Sequence, residues 1–203
     1  MPSPKTLIFD LGNVIVPFDF THAYRRFEQM TGMPPEEQKR RIGETGLVTL
    51  LESGLIEPED FVRQLTGVLG APLSYAEFRD LWVSIFHRET LIPESLFQSL
   101  KGRYRLVLLS NTNAIHFGMI RETYPHLGHF DHWVLSHEVK AMKPSPVIYA
   151  AAIEHAQALP GECFFTDDIP EYVAGARAAG IDAEQFLGYD KLLADLRARG
   201  VEI

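Results

Sequence analysis

Asp10 follows the apolar run Thr6-Leu7-Ile8-Phe9, and Ser110-Asn111-Thr112-Asn113 follows Leu106-Val107-Leu108-Leu109. Lys143-Pro144 comes next, and Asp167-Asp168 closes the series just after Cys163-Phe164-Phe165. A carboxylate at a strand's carboxyl end sits where open α/β sheets hold their ligands. Asp10 is thus a candidate nucleophile, and with Asp167 and Asp168 it could hold a divalent cation. Lys143 supplies a positive charge. Ser110, with the backbone N–H groups around Asn111 and Thr112 at a strand-to-helix turn, forms a cradle for an anion. Hard carboxylate, carbonyl and water ligands select Mg²⁺. The combination suits phosphoryl transfer, where accelerations of up to ~10²¹-fold come mostly from positioning and charge stabilisation.

Each signal alone has a structural explanation. An Asp closing a strand is a common turn residue, a Ser-Asn-Thr-Asn cluster caps helices, and a loop lysine is ordinarily solvated. Asp167-Asp168 could simply complement a helix N-terminus. Their joint occurrence in this order is what favours chemistry.

The elements that must position these residues follow from the periodicity. Residues 21–89 hold no convincing strand but have helical spacing and helix starts. Ser74-Tyr75-Ala76-Glu77 predicts a capping box, followed by Phe78, Leu81, Trp82, Ile85 and Phe86 on one face. Pro34-Pro35 and Glu57-Pro58-Glu59 mark further starts, and Gly32, Gly54 and Gly70 mark ends, which predicts a four-helix insert. From residue 93 helices alternate with strands at 104–109, 132–135, 163–165 and 183–187. This alternation predicts an α/β fold, a Rossmann-like doubly wound parallel sheet with helices on both faces.

The 203-residue length accommodates a core domain with a small insert. With 19 Lys and Arg against 27 Asp and Glu, the net charge is −8, and no basic stripe invites nucleic acid. Cys163 is the single cysteine and cannot form an internal disulfide. No secretory h-region or bilayer-length apolar run is present, so the expectation is a cytoplasmic protein, a monomer or homodimer, with no membrane partner.

On these four motifs in order, the chain resembles the haloacid dehalogenase superfamily of phosphotransferases: Asp10, Ser110 with Asn111, Lys143, and Asp167-Asp168. More closely it resembles the bacterial α-glucose-1-phosphate phosphatase group and the phosphatase domain of soluble epoxide hydrolases. Segments 9–16, 72–75 and 109–113 and Lys143-Pro144 with Tyr149 carry that likeness. The resemblance implies a catalytic core of residues 1–17 and 90–203 and a helical cap (C1 type) of residues 18–89. It further implies a Mg²⁺-dependent phosphatase working through an aspartyl-phosphate. The substrate would be a small phosphorylated metabolite, with a sugar phosphate such as glucose 1-phosphate among the candidates.

The implied assignments are Asp10 and Lys143 as catalytic, Ser110, Asn111 and Lys143 as phosphate-binding, and Asp10, Asp167, Asp168 and the Gly12 carbonyl as metal ligands. One departure stands out: most phosphatases of the superfamily carry a second Asp where Gly12 stands. General acid–base help is worth about 10²–10⁴-fold, so its loss implies a slower but working enzyme. Asp19, returning from the start of the cap, is the expected stand-in acid, and Phe18 at the hinge is expected to shape the substrate pocket. A metal-free 2-haloacid dehalogenase is the alternative enzyme, disfavoured by the Asp167-Asp168 pair. A catalytically silent phosphate- or metal-binding module is the alternative of another class. His126, His129 and His132 fall in a Pro- and Gly-containing loop and are expected to be solvated, as are Arg25-Arg26 and Lys39-Arg40-Arg41 on their helices.

Overall fold

The computed structural model describes residues 3–203. Five parallel strands form one sheet in the order β3-β2-β1-β4-β5: β1 (Thr6–Phe9), β2 (Arg105–Ser110), β3 (His132–Leu135), β4 (Cys163–Asp167) and β5 (Asp182–Gln185). The fifth strand ends earlier than the predicted 183–187. Gly188, at φ 117°, begins the turn into the last helix, and Leu187 is exposed.

The two-residue period of the strands divides the core. Leu7, Phe9, Leu106, Leu108 and Phe164 face one side, while Ile8, Val107, Leu109, Phe165 and Ala183 face the other. The first layer is covered by α6 (Glu94–Leu100), α7 (Ala114–Thr123) and α11 (Tyr189–Ala198). The second is covered by α9 (Pro146–Ala156) and α10 (Pro170–Ala178), with α8 (Ser136–Val139) ahead of α9. The Phe9 ring meets Phe97 and Phe130 edge-on, with centroids 5.2 and 6.1 Å apart. Burying one such side chain contributes about 1.5–3 kcal/mol, which fixes the strand end from which Asp10 emerges.

Phe9 registers with Leu108 of β2 and Thr166 of β4. Asp10, Ser110 and Asp167 therefore leave adjacent strands side by side. Beyond β3 the chain crosses back over β1 to build β4, so β1 lies at the topological switch point.

Between β1 and α6 lie five helices, not four: α1 (Thr21–Thr31), α2 (Pro35–Thr45), α3 (Leu47–Glu52), α4 (Pro58–Leu69) and α5 (Tyr75–Trp82). Gly46, at φ 65°, breaks what would otherwise be one helix into α2 and α3. The Ser74 capping box forms as the sequence predicts, with Ser74 Oγ accepting from Glu77 N–H and the Glu77 carboxylate accepting from Ser74 N–H. These helices share an apolar cluster built on Phe61, Phe78 and Trp82, and Ile115 of α7 reaches into it. The chain enters and leaves the insert as an antiparallel pair of segments bridged at Phe18 and Phe86: Asp19 N–H donates to Ile85 O at 2.8 Å and His87 N–H to Pro17 O at 3.0 Å.

The three histidines correct the expectation of a solvated loop. His126 is buried with Nε2 3.1 Å from Ile92 O, His129 Nε2 lies 2.8 Å from Glu94 Oε1, and His132 stacks on His155 at 3.5 Å. The segment from Pro125 to His129 is a 3₁₀ turn lying under α6, which gives the first two rings partners. Arg25, Arg26, Lys39 and Arg40 do remain on exposed surface. Among the described residues no helix is long and apolar enough to cross a membrane.

Candidate active site

Lys143 is the centre of the arrangement. Its side chain is almost wholly buried, and Nζ donates to Asp10 Oδ1 at 2.7 Å, to Asp167 Oδ2 at 2.5 Å and to Leu109 O at 3.2 Å. A buried ammonium is tolerated only when paired in this way. Asn111 sets the lysine's backbone: its Oδ1 accepts from Lys143 N–H at 2.8 Å and its Nδ2 donates to Lys143 O at 3.1 Å. The ring of Tyr172 lies 5.1 Å from the ammonium.

Asp10, Asp167 and Asp168 each present a carboxylate oxygen within 4.8 Å of the others'. Asp167 is fully buried and both its oxygens are engaged, Oδ2 by Lys143 and Oδ1 by Ile169 N–H at 2.9 Å. Among the described residues Lys143 is the one side chain bonded to Asp10, through Oδ1, and none is bonded to Asp168. Burial pushes Asp10 up to about 7, with the Lys143 ammonium opposing and the Asp167 charge adding to the rise. Asp168 is raised by burial first and by Asp167 second. Burial works against the charge on Lys143, but the two carboxylates outweigh it and hold its pKa above the usual value. An acidic pocket that raises its own carboxylates, with hard oxygens converging, fits a small divalent cation such as Mg²⁺.

The loop after β2 differs in one respect from the cradle expected of it. Thr112 N–H is not free for a ligand, because it donates to Ser136 Oγ at 2.9 Å. Asn113 caps α7, its Oδ1 accepting from His116 N–H at 3.0 Å. Ser110 and Asn111 line a cavity of about 90 Å³ together with Gly12, Phe18, Glu52 and His116. A neighbouring cavity of about 130 Å³ holds Asp10, Lys143 and Asp168, and the two adjoin across Gly12, Phe18 and Asn111.

A family model described as haloacid dehalogenase-like hydrolase matches residues 4–180, nearly the whole chain. The chain belongs to that family. A D-ribitol-5-phosphate phosphatase of Bacteroides thetaiotaomicron is 28% identical over 170 residues, which cover 81% of this chain and 82% of that protein. A phosphatase of Mycobacterium tuberculosis is 26% identical over 89% of this chain and 86% of its own length. The wild-type haloacid dehalogenase family enzyme bt-2542 of B. thetaiotaomicron, solved with magnesium and inorganic phosphate, superposes with a TM-score of 0.80. It is 28% identical and the match covers 90% of this chain and 93% of that one.

This member of the family brings together Asp10, Gly12, Asn111, Lys143 and Asp168 in one cavity, with Phe18 on its wall. Asp19 is not brought there. It is exposed, its Oδ1 accepts from Thr21 N–H at 2.9 Å and from Thr21 Oγ1 at 2.7 Å, and it lines neither cavity. Those two bonds hold its carboxyl below the ordinary range, so the group suits the start of α1 better than a proton-donating role. Phe86 packs against the insert's core as expected and, partly buried, also lines the wall of the smaller cavity.

Sequence reasoning missed four residues at this site. Tyr172 and Ser136 are distant in the chain from what they touch. Glu52 ends a helix of only six residues, too short to reveal a face. His116 reads as a helix residue like its neighbours, yet its Nε2 lies 3.1 Å from Trp82 O, joining α7 to the insert.

Proposed function

We propose that the protein is a Mg²⁺-dependent phosphatase that hydrolyses a small phosphorylated sugar or sugar alcohol through an aspartyl-phosphate on Asp10. The observation that carries this reading is the convergence of three carboxylate oxygens within 4.8 Å, two of the carboxylates being spanned by the buried Lys143 ammonium. Likeness to a D-ribitol-5-phosphate phosphatase supports the substrate class.

In this reading an Asp10 oxygen attacks phosphorus and the bond from phosphorus to the substrate's ester oxygen breaks. Water then attacks the same phosphorus, freeing Asp10 and inorganic phosphate. Lys143 offsets the negative charge gathered between Asp10 and the phosphoryl oxygens and keeps Asp10 aimed. Ser110 and Asn111 receive the phosphoryl group. Oxygens of Asp10 and Asp168, with the Gly12 carbonyl, would hold Mg²⁺, and Asp167 would reach it through water because its own oxygens are engaged. When bound, the ion withdraws charge from the phosphoryl oxygens. Residues 18–89 would form the cap that closes over the leaving group, with Phe18 at its hinge.

The deciding measurement is turnover of an aryl phosphate with and without Mg²⁺, beside chloride release from a 2-haloacid. Mg²⁺-dependent phosphate release that disappears in Asp10→Asn is expected. Chloride release without metal would replace this reading with the dehalogenase.

A further inference from the structure

An alkyl phosphate poses a difficulty that the carboxylate triad does not resolve. Its leaving oxygen departs as a strong base unless it receives a proton as the bond breaks, and proton delivery by a positioned side chain contributes about 10²–10⁴-fold. Asp10 is occupied as the nucleophile, Asp167 is tied to Lys143 and to Ile169 N–H, and Asp19 is turned into its own helix start.

The smaller cavity, next to Asp10, contains the remaining donors. Ser110 and Thr112 offer only hydroxyls, and Asn111 has no titratable proton. His116 has both ring nitrogens engaged, Nδ1 at 3.1 Å from Asn113 Nδ2 and Nε2 at 3.1 Å from Trp82 O, and burial lowers it to about 4. Glu52 is left, and it is the carboxyl that lines this cavity.

Its position is fixed from behind. Glu52 is the last residue of α3, and its carbonyl accepts from Ser136 Oγ at 2.6 Å; that serine oxygen in turn accepts from Thr112 N–H at 2.9 Å. Two residues on, Gly54 O accepts from Lys140 Nζ. The insert is thereby pinned to the loop that receives the phosphoryl group, with the Glu52 side chain partly buried at the junction.

We infer that Glu52, on the inserted helices, delivers the proton to the leaving oxygen and afterwards takes one from the attacking water. This rests on the phosphatase reading above. In the first step the O–H bond of the Glu52 carboxyl breaks, its proton joins the ester oxygen, and the P–O electron pair leaves with the alcohol. In the second the Glu52 carboxylate accepts a proton from water as the water oxygen bonds to phosphorus and Asp10 departs. Burial pushes the Glu52 carboxyl up to about 7, so both forms are present near neutrality. The titratable and charged groups around it are His116 of α7, Tyr172 of α10, His137 of α8 and Lys140 just after α8; none is a second carboxyl.

The test is single-turnover release of the leaving group by the full chain with Mg²⁺, comparing nitrophenyl phosphate with a polyol phosphate. Glu52→Gln should slow alcohol release from the polyol phosphate about 100-fold or more while slowing nitrophenol release less than about threefold in the first turnover. Phosphorylated enzyme should then accumulate with nitrophenyl phosphate, whose first step is little slowed while attack by water loses its base. The decline in polyol phosphate turnover as pH rises past about 7 in wild type should vanish in the variant. Glu52→Ala, checked for folding by its thermal melt, should behave alike. Equal slowing of both substrates, or a raised KM with an unchanged single-turnover rate, would overturn the assignment and make Glu52 a binding group. If the wild-type protein releases no nitrophenol with Mg²⁺, the phosphatase reading itself is what fails.

Discussion

The ring of Phe18 fills the space beside Gly12: a Cβ placed on Gly12 would lie 2.8 Å from Phe18 Cε1. Carbon atoms pack at about 3.5–4.0 Å, so the glycine is held by a neighbour and not by its backbone angles. Phe18 is itself braced, its ring meeting those of Phe20 and Phe86 at 5.9 and 6.0 Å. A side chain at position 12 is therefore excluded while Phe18 keeps this rotamer.

Gly12→Ala should destabilise the protein by about 1–3 kcal/mol, the usual cost of overpacking. In the background of Phe18→Ala the same change should cost little. Urea unfolding of the four proteins gives the coupling between the two positions. A coupling near zero would mean that the ring moves aside freely.

Much of this site was legible in the sequence because the strands that carry it are legible. Runs such as Leu106-Val107-Leu108-Leu109 are buried on both faces, and Asp10, Ser110 and Asp167 emerge from adjacent strands because of parallel register. What could not be read depends on contacts made across the fold. Nothing in the neighbourhood of Glu52 marks it as facing a cavity, and Ser136 looks like any helix-start serine until its hydroxyl is seen between Thr112 and Glu52. The Gly46 break was missed because it takes a single residue. Asp19 was credited with reach that its hydrogen bonds to Thr21 deny it.

Lys143 should matter to stability as well as to rate. Removing it in Lys143→Ala leaves the Asp10 and Asp167 carboxylates buried and uncompensated, a loss that costs about 3–5 kcal/mol for a buried pair. Chemical denaturation at pH 7.5 checks this, and kcat/KM on an aryl phosphate should drop by roughly 100-fold or more. Wild-type stability in the variant would show that the carboxylates neutralise themselves by binding protons. A loss in kcat/KM below about threefold would remove Lys143 from the chemistry.

The two adjacent aspartates should respond differently to metal titration. Asp168 has oxygens to offer, whereas those of Asp167 are committed to Lys143 and Ile169 N–H. Asp168→Asn should raise the Mg²⁺ concentration for half-maximal activity by about tenfold or more, and Asp167→Asn should chiefly lower the rate at saturating Mg²⁺. The opposite pattern would exchange their roles.

His116 should make stability depend on pH. In the folded protein burial lowers it to about 4, while in the unfolded chain it titrates near the ordinary 6.5. Between those values the unfolded chain binds a proton that the folded protein refuses. Stability therefore falls as pH drops from about 6.5 towards 4, and above 6.5 the residue contributes no slope. Burial keeps the ring neutral, with Nδ1 facing Asn113 Nδ2 and the ring stacked on that of Trp82 at 5.4 Å, while the contact of Nε2 with Trp82 O works the other way. The full swing is on the order of 3 kcal/mol. Urea unfolding at pH 7.5, 6 and 5 should show wild type losing more stability than His116→Gln over this range, after the constant cost of the substitution is removed. Parallel slopes for the two proteins would place the acid sensitivity elsewhere and show that a proton reaches His116 without opening the contact between α7 and the inserted helices.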